Sequence, residues 1–367
     1  MNIDGQAYRT IWLADDGVSV VVIDQRCLPH EFRTLALRTL EDALTAISDM
    51  AVRGAPLIGA TAAFAVALGL RADSSDAGLE SSVERLIRSR PTAVNLAWAA
   101  RRVATRVRPL PRERRWAAAL EEAQRICEDD VASCRAIAGH GADLLAQFYS
   151  QVRPVQVLTH CNAGWLAAVD WGTALAPIYL AHQRGVPIHV WVDETRPRNQ
   201  GAALTAWELG QQGVAHTVIA DNAGGHLMRL GRVDVCLVGA DRVASNADVC
   251  NKIGTYLKAL AAFDNRVPFY AVMPHSTIDW HLPSGESIAI EERDPDEVRT
   301  IAGVDADGHL TRVRLTPAHS PAANFAFDVT PARLLTGLIT ERGIASASRE
   351  GLAALYAAAP AQHVSLQ

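Results

Sequence analysis

Two residues in this chain combine reactive chemistry with a place where a ligand could reach them. Cys161 follows an apolar β-like run in the stretch VQVLTHCNAGWLA, residues 155–167. Asp241 ends a second such run, VDVCLVGAD, residues 233–241. In open α/β sheets the ligand crevice lies beyond the carboxyl ends of the strands. The residues after Cys161 read as a tight turn and a helix start, and a helix dipole favours a thiolate over a thiol. A carboxyl group at the end of a buried strand is pushed toward its protonated form by desolvation. If the two strands are neighbours, such a pair could move protons between an oxygen and a carbon of one substrate at neutral pH. The same pattern also fits a buried cysteine and an aspartate that caps a loop.

Several other residues have the chemistry to hold an anion. Arg53-Gly54-Ala55 places a guanidinium beside exposed backbone N–H groups at a helix start, which suits a phosphate. Arg90 precedes Pro91 in a similar way, Asn251-Lys252 reads as opening a helix, and Gln200 opens another after RPRN. Taken singly, each also fits a solvated surface residue. The first βα turn reads HCNAGW and lacks the three glycines of a dinucleotide fingerprint, although Asp193 ends the second strand where a ribose-binding acid would sit. No GxSxG elbow is present. The cysteines (Cys27, Cys127, Cys134, Cys161, Cys236 and Cys250) form no CxxC, and the histidines form no HExxH, so neither a metal site nor a cofactor is expected.

The elements that must carry these groups can be read from periodicity. Apolar runs of strand length fall at 155–160, 187–194, 215–221, 233–241 and 268–273, with helical segments at 164–184, 200–212, 223–230 and 252–264 between them. This alternation predicts a parallel sheet covered on both faces: an α/β, Rossmann-like doubly wound catalytic domain over residues 146–367. Four of the five strands end in polar residues, on one edge of the sheet. Residues 1–145 predict a smaller, mainly helical domain with a β-hairpin around Asp15-Asp16-Gly17. It continues with a helix from about Thr39, an Ala- and Leu-rich helix over 57–70 buried all round, and a helix capped by Pro91-Thr92. Residues 115–150 read as one broken or two consecutive helices, split near Glu128-Asp129-Asp130. Residues 284–299 read as acidic and exposed, and 302–323 as irregular loop. Residues 324–343 read as ending in a short helix from Pro331, with Gly343 as its C-cap.

Composition excludes some functions. The chain has 367 residues, 49% of them hydrophobic and 20% charged, as in an ordinary globular protein. A net charge of −5 gives no electrostatic reason to expect nucleic acid. No apolar run reads as long enough to cross a bilayer, and the N-terminus lacks the basic start and apolar stretch of a signal peptide. The expectation is a cytoplasmic protein with no membrane partner.

Longer segments carry a resemblance. RGAPLIGATAAFAVAL, SRPTAVNLAWA, LTHCNAGWLA, VDETRPRNQGAALTAWEL, DNAGGHLM, VGADRVASNADVCNKIGTYLKA, IEERDPDEV and FAFDVTPARLLTGLITERG together resemble the methylthioribose-1-phosphate isomerases, aldose–ketose isomerases of methionine salvage. The resemblance covers residues 8–343. That superfamily also holds ribose-1,5-bisphosphate isomerases and regulatory subunits of the guanine-nucleotide exchange factor of translation initiation, so fold alone does not settle function. The resemblance implies that Asp241 is a proton donor and that Cys161 assists catalysis. It implies that Arg53, Gly54, Ala55, Arg90, Gln200, Asn251 and Lys252 bind substrate. It further implies a homodimer that converts 5-methylthioribose 1-phosphate to 5-methylthioribulose 1-phosphate without a cofactor. The alternatives are an isomerase of another sugar 1-phosphate (ribose 1,5-bisphosphate or 5-deoxyribose 1-phosphate) and a non-catalytic regulatory relative that binds a sugar phosphate or nucleotide. The Cys161 and Asp241 pair favours an enzyme. The stretch 302–323 departs from the family pattern.

Overall fold

The computed structural model describes residues 1–90 and 93–357. After a short antiparallel ladder of Asn2–Ile3 with Gln6–Ala7, the chain forms a three-stranded antiparallel meander, β1 (Ile11–Leu13), β2 (Val20–Ile23) and β3 (Thr34–Leu37). The Asp-Gly turn joins the first two strands. Asp16 fixes it by accepting from the backbone of Val18 and Ser19 and from the Ser19 hydroxyl at 2.6–2.8 Å.

Helices follow: α1 (Leu40–Ser48), α2 (Ala55–Ala72), α3 (Asp76–Ser89), α4 (Val94–Val107) and α5 (Arg112–Ala146). A reciprocal capping box between Thr39 and Asp42 starts α1. Helix α2 is apolar on every side and forms the axis of the N-terminal core. By length and composition it could cross a membrane, contrary to the sequence reading, but 83% of it is buried inside the protein. The expected cap at Pro91-Thr92 lies outside the described residues. Helix α5 is one unbroken element of 35 residues, not split at Glu128-Asp129-Asp130. The acidic run does not break it because each carboxylate has somewhere to go: Glu128 pairs with Arg9, Asp129 with Arg102, and Asp130 accepts from the Val169 N–H. The first part of α5 packs into the N-terminal core, and its last turns pack under the sheet through Ile137, Ala142 and Leu145.

From Val155 strand and helix alternate. The order is β4 (Val155–Thr159), α6 (Ala176–Gln183), β5 (Ile188–Asp193), α7 (Ala206–Gln211), β6 (Ala215–Ile219), α8 (Ala223–Arg229) and β7 (Val235–Val238). It continues with β8 (Arg242–Ala244), β9 (Val249–Lys252), α9 (Thr255–Asn265), β10 (Phe269–Val272), β11 (Thr300–Val304) and β12 (Leu310–Arg314), then β13 (Phe327–Thr330), β14 (Gly337–Thr340), β15 (Gly343–Ala345) and α10 (Arg349–Ala357). The main sheet has seven strands in the order β15-β14-β10-β7-β4-β5-β6. All its pairings are parallel except β14 with β15. The fold is α/β, as the apolar runs predict. Strands β4 and β7 are neighbours in register, with Val157 opposite Val235.

The C-terminal third differs from the sequence reading. Residues 302–323 are not all loop, because β11 and β12 form an antiparallel hairpin. Asp305 closes its turn by accepting from the N–H groups of Asp307 and His309. Pro331 opens only a 3₁₀ turn, Ala332–Leu334, and Gly343 starts an edge strand rather than capping a helix. Short strands flanked by polar residues carry too little periodicity to be read alone.

Candidate active site

The register of β4 with β7 brings Cys161 and Asp241 out side by side at the carboxyl edge of the sheet. The turn after β4 departs from expectation. No helix begins at 164; a 3₁₀ turn covers Trp165–Ala167, and α6 starts only at Ala176. Cys161 therefore does not sit on a helix N-terminus, and the dipole argument for a thiolate fails. Its backbone takes the left-handed conformation, φ +65°. Loop and helix side chains hold it there: Thr195 Oγ accepts from the Cys161 N–H at 2.8 Å, and Thr205 Oγ donates to its carbonyl at 2.7 Å. Burial raises the thiol pKa, while the charges of Arg53 and Lys252 and the Asn162 N–H pull it down. Two cations, not a helix, limit that rise, and the net direction remains upward.

A buried carboxylate explains why the helix starts late. Glu208 of α7 accepts from the Trp165 and Leu166 N–H groups, the Asn162 amide and the Tyr179 hydroxyl, all at 2.8–2.9 Å. Asn162 also donates to Thr205. With its amide committed, Asn162 turns its side-chain oxygen to Arg53, which also donates to the Asn162 carbonyl at 2.6 Å. Gly54 has a specific steric duty. Its φ is +91°, and a Cβ there would lie 2.6 Å from Ala167. The Arg53-Gly54-Ala55 turn thus docks on the 3₁₀ turn next to Cys161, and this contact explains the glycine better than exposed N–H groups do.

Asp241 is half-buried in a narrow cleft lined by Ala55, Arg90, Ile288, Phe327 and others. Burial raises its pKa; Lys252, Arg53 and Arg90 oppose the rise, and Glu291 adds to it. Lys252 is buried, with its ammonium 4.9 Å from the centre of the Phe327 ring. Burial lowers its pKa, and the charges of Cys161 and Asp241 resist that. Cys161, Asp241, Lys252 and Arg53 therefore form one electrostatic cluster.

The remaining expected residues divide. Arg90 lines the cleft, meets Glu291 at 3.3 Å, and keeps Nε and Nη1 buried without a partner among the described residues. Gln200 is buried, its Oε1 likewise unpartnered, on the loop whose Thr195 holds Cys161. Asn251 and Lys252 end strand β9 and do not open a helix; α9 starts at Thr255 after Gly254 at φ +103°. The helix periodicity of 255–265 cannot show where the preceding strand stops. The Asn251 amide donates to Thr255 Oγ, which donates to the Lys252 carbonyl, so Asn251 locks the strand-to-helix turn.

Sequence reasoning missed Asn162, Thr195, Thr205 and Glu208, which position the cluster. It also missed Glu291 and Arg293, because residues 284–299 read as exposed. The only signal for Glu208 was one acid inside the otherwise apolar run LTAWEL. His160 is a further surprise. Its Nε2 faces the Ile253 carbonyl and its Nδ1 faces Asp193, each at 2.8 Å. Asp221 lies beside them, but the Lys258 ammonium, 3.1 Å from Asp193 and bonded to the Asp221 carbonyl, already supplies the positive charge a metal would bring.

The chain belongs to the initiation factor 2 subunit family, whose model matches residues 51–347. Within it, a methylthioribose-1-phosphate isomerase of Methylobacterium nodulans is 62% identical over 97% of this chain and 98% of that protein. The crystal structure of 5-methylthioribose 1-phosphate isomerase from Pyrococcus horikoshii OT3 is 39% identical, with a TM-score of 0.82 over 96% of this chain and 97% of that one. The crystal structure of the translation initiation factor eIF-2B, subunit delta, from A. fulgidus is 35% identical, with a TM-score of 0.78 over 95% of this chain and 99% of that one. The chain is an aldose–ketose isomerase of the methylthioribose-1-phosphate isomerase group.

Proposed function

We propose that Asp241 and Cys161 carry the rearrangement of 5-methylthioribose 1-phosphate to 5-methylthioribulose 1-phosphate in methionine salvage. The observation that supports these roles is the shared cluster, in which Arg53 and Lys252 act on both the thiol and the carboxyl group. The phosphate on the anomeric oxygen prevents the ring from opening as a free hemiacetal does. Asp241, held toward its neutral form, protonates the ring oxygen and so releases C1. Hydrogen then passes from C2 to C1, and the C2 hydroxyl returns a proton to the Asp241 carboxylate as the ketone forms. In a hydride route the hydrogen moves directly, and Cys161 shapes the dry wall beside the cationic C1. In a proton route the Cys161 thiolate takes the C2 proton and delivers it to C1. Both routes return every group to its starting state. Arg53, Arg90 and Lys252 bind the phosphate, with Gly54, Ala55, Gln200 and Asn251 shaping the rest of the site.

The same reading assigns residues 1–145 and 146–367 to two domains, a homodimer as the working unit, and the cytoplasm as its location. Exposed Leu257 and Phe263 on α9 offer apolar surface for a dimer. The test is product formation followed by NMR, with ribose 1,5-bisphosphate and 5-deoxyribose 1-phosphate as competitors. Wild type should convert the methylthio sugar with the highest kcat/KM, and Cys161→Ala and Asp241→Asn should abolish turnover while keeping the fold. Near-normal kcat in either variant removes that residue from the mechanism. Deuterium incorporation from solvent identifies the proton route.

A further inference from the structure

The segment IEERDPDEV directly follows Ile288 and Ala289, which line the cleft, and its Glu291 pairs with Arg90 of the same cleft. Glu291 and Arg293 are both half-buried. The segment pairs with the chain just before β13: the Arg293 N–H donates to the Asn324 carbonyl, and the Ala326 N–H donates to the Glu291 carbonyl, both at 2.9 Å. Phe327, which carries the Lys252 ammonium over its ring, follows directly. From this fixed backbone a ladder of alternating charge crosses the site. Arg90 meets one oxygen of Glu291 at 3.3 Å, and Arg293 meets the other at 2.9 Å. Arg293 also donates to Glu297 at 3.1 Å, and Arg198 donates to the same Glu297 oxygen at 2.7 Å. Burial works against the Glu297 charge, but Arg293, Arg198 and Asn324 hold its pKa at about 2. The ladder runs from the end of α3 to the loop that carries Gln200.

We propose that Glu291 is a positioning residue of the active site: its carboxylate fixes Arg90 and Arg293 on either side, and its charge offsets theirs beside Asp241 so that the acid keeps its proton. This rests on Asp241 being the proton donor. The groups facing Asp241 divide by sign. Arg53, Lys252 and Arg90 favour its ionised form, while Glu291 opposes it; burial holds the nearby Cys161 and Cys250 thiols toward their neutral forms. Arg242, next in sequence, is committed to Asp279 at 2.5 Å. The cations are there for the phosphate, and without a counter-charge the same cations would strip the acid. Glu291 resolves that conflict: it pairs with two arginines and leaves Nε and Nη1 of Arg90 without a partner among the described residues.

The test is kcat/KM for 5-methylthioribose 1-phosphate at two pH values that bracket the alkaline fall of the wild-type profile, which reports the free enzyme. Glu291→Gln should lower the ratio of the higher-pH value to the lower-pH value about fivefold, because Asp241 then loses its proton earlier. Glu291→Asp, which keeps the charge, should hold the ratio within about twofold of wild type. Arg293→Gln should raise the ratio, and it provides the test should Glu291→Gln fail to fold. An unchanged ratio in Glu291→Gln, a uniform loss at both pH values, or a fall in Arg293→Gln overturns the proposal. Asp241→Asn separates the two readings. If that variant is inactive and the Glu291→Gln ratio is unchanged, only the role of Glu291 fails. If Asp241→Asn stays active, the assignment of the acid fails and this proposal fails with it.

Discussion

Arg53 grips Asn162 at two points, donating from one guanidinium nitrogen to the side-chain oxygen and from the other to the main-chain carbonyl. The residue before the Gly54 turn is thereby bonded to the residue after Cys161. A forked, planar donor can satisfy both oxygens, and an ammonium cannot hold the same geometry. Arg53→Lys should keep the fold and the charge yet lower kcat/KM at least about 100-fold, as misplaced catalytic groups do. Steady-state kinetics checks this, and a loss under about fivefold would mean that charge alone matters there.

The acid at the cleft gives the enzyme a pH signature. Burial, reinforced by Glu291, raises the Asp241 pKa, and the cations limit the rise. A proton donor must be protonated to act, so kcat/KM should fall as pH rises through that raised value. The same sign holds for stability: the folded state binds a proton that the unfolded chain has already released, so stability drops as pH rises from the ordinary carboxylate range to the raised value. A pH–rate profile with no alkaline fall would contradict the role of Asp241.

Glu208 meets four donors and offers them two oxygens. Burial raises its pKa, but every neighbour is arranged for the ionised form. Glu208→Gln would turn an N–H₂ toward donors and leave buried N–H groups unpaired, at a cost of about 2–4 kcal/mol. Tyr179→Phe removes one donor and should cost about 1 kcal/mol. Urea denaturation measures both, and equal losses for the two variants would mean that the carboxylate is not the anchor.

Asp130, on α5, is pushed to about 7 by burial and by nearby Asp170, against the Val169 N–H that bonds it. In the unfolded chain the same group ionises near about 3.9. Between those values the folded state holds the extra proton, so stability falls as pH rises from about 4 to 7 and is flat beyond. Asp130→Asn should therefore stabilise the protein by about 1–3 kcal/mol at pH 8 and change little at pH 4. Melting curves at the two pH values check the difference.

Much of the fold was legible because long apolar runs have few alternatives. The strand at Val155–Thr159 is buried on both faces and is flanked by helical periodicity, so it reads as an inner parallel strand. By contrast, β14 and β15 span four and three residues and gain their stability from pairing with β10 and with each other. Residues 162–175 misled for a related reason. They have the composition of a helix, but Glu208 captures the N–H groups that would start one. Arg53, Arg90, Lys252, Cys161 and Asp241 were all named from the sequence. Asn251 was also named, but its amide turns to Thr255.

The sequence by itself determined which groups are present and where along the chain the carboxyl edge of a sheet would expose them. Residue type and periodicity are local properties, and they survive in one dimension. Tertiary structure alone decided the state of those groups. Arg53 and Lys252, not a helix, pull against the rise of the Cys161 thiol, and Glu291 of IEERDPDEV pairs with Arg90 and Arg293 instead of lying free in solvent. Desolvation and charge–charge energies depend on distance and burial, and residues 53, 90, 161, 241, 252 and 291 are brought within reach of one another only by the fold.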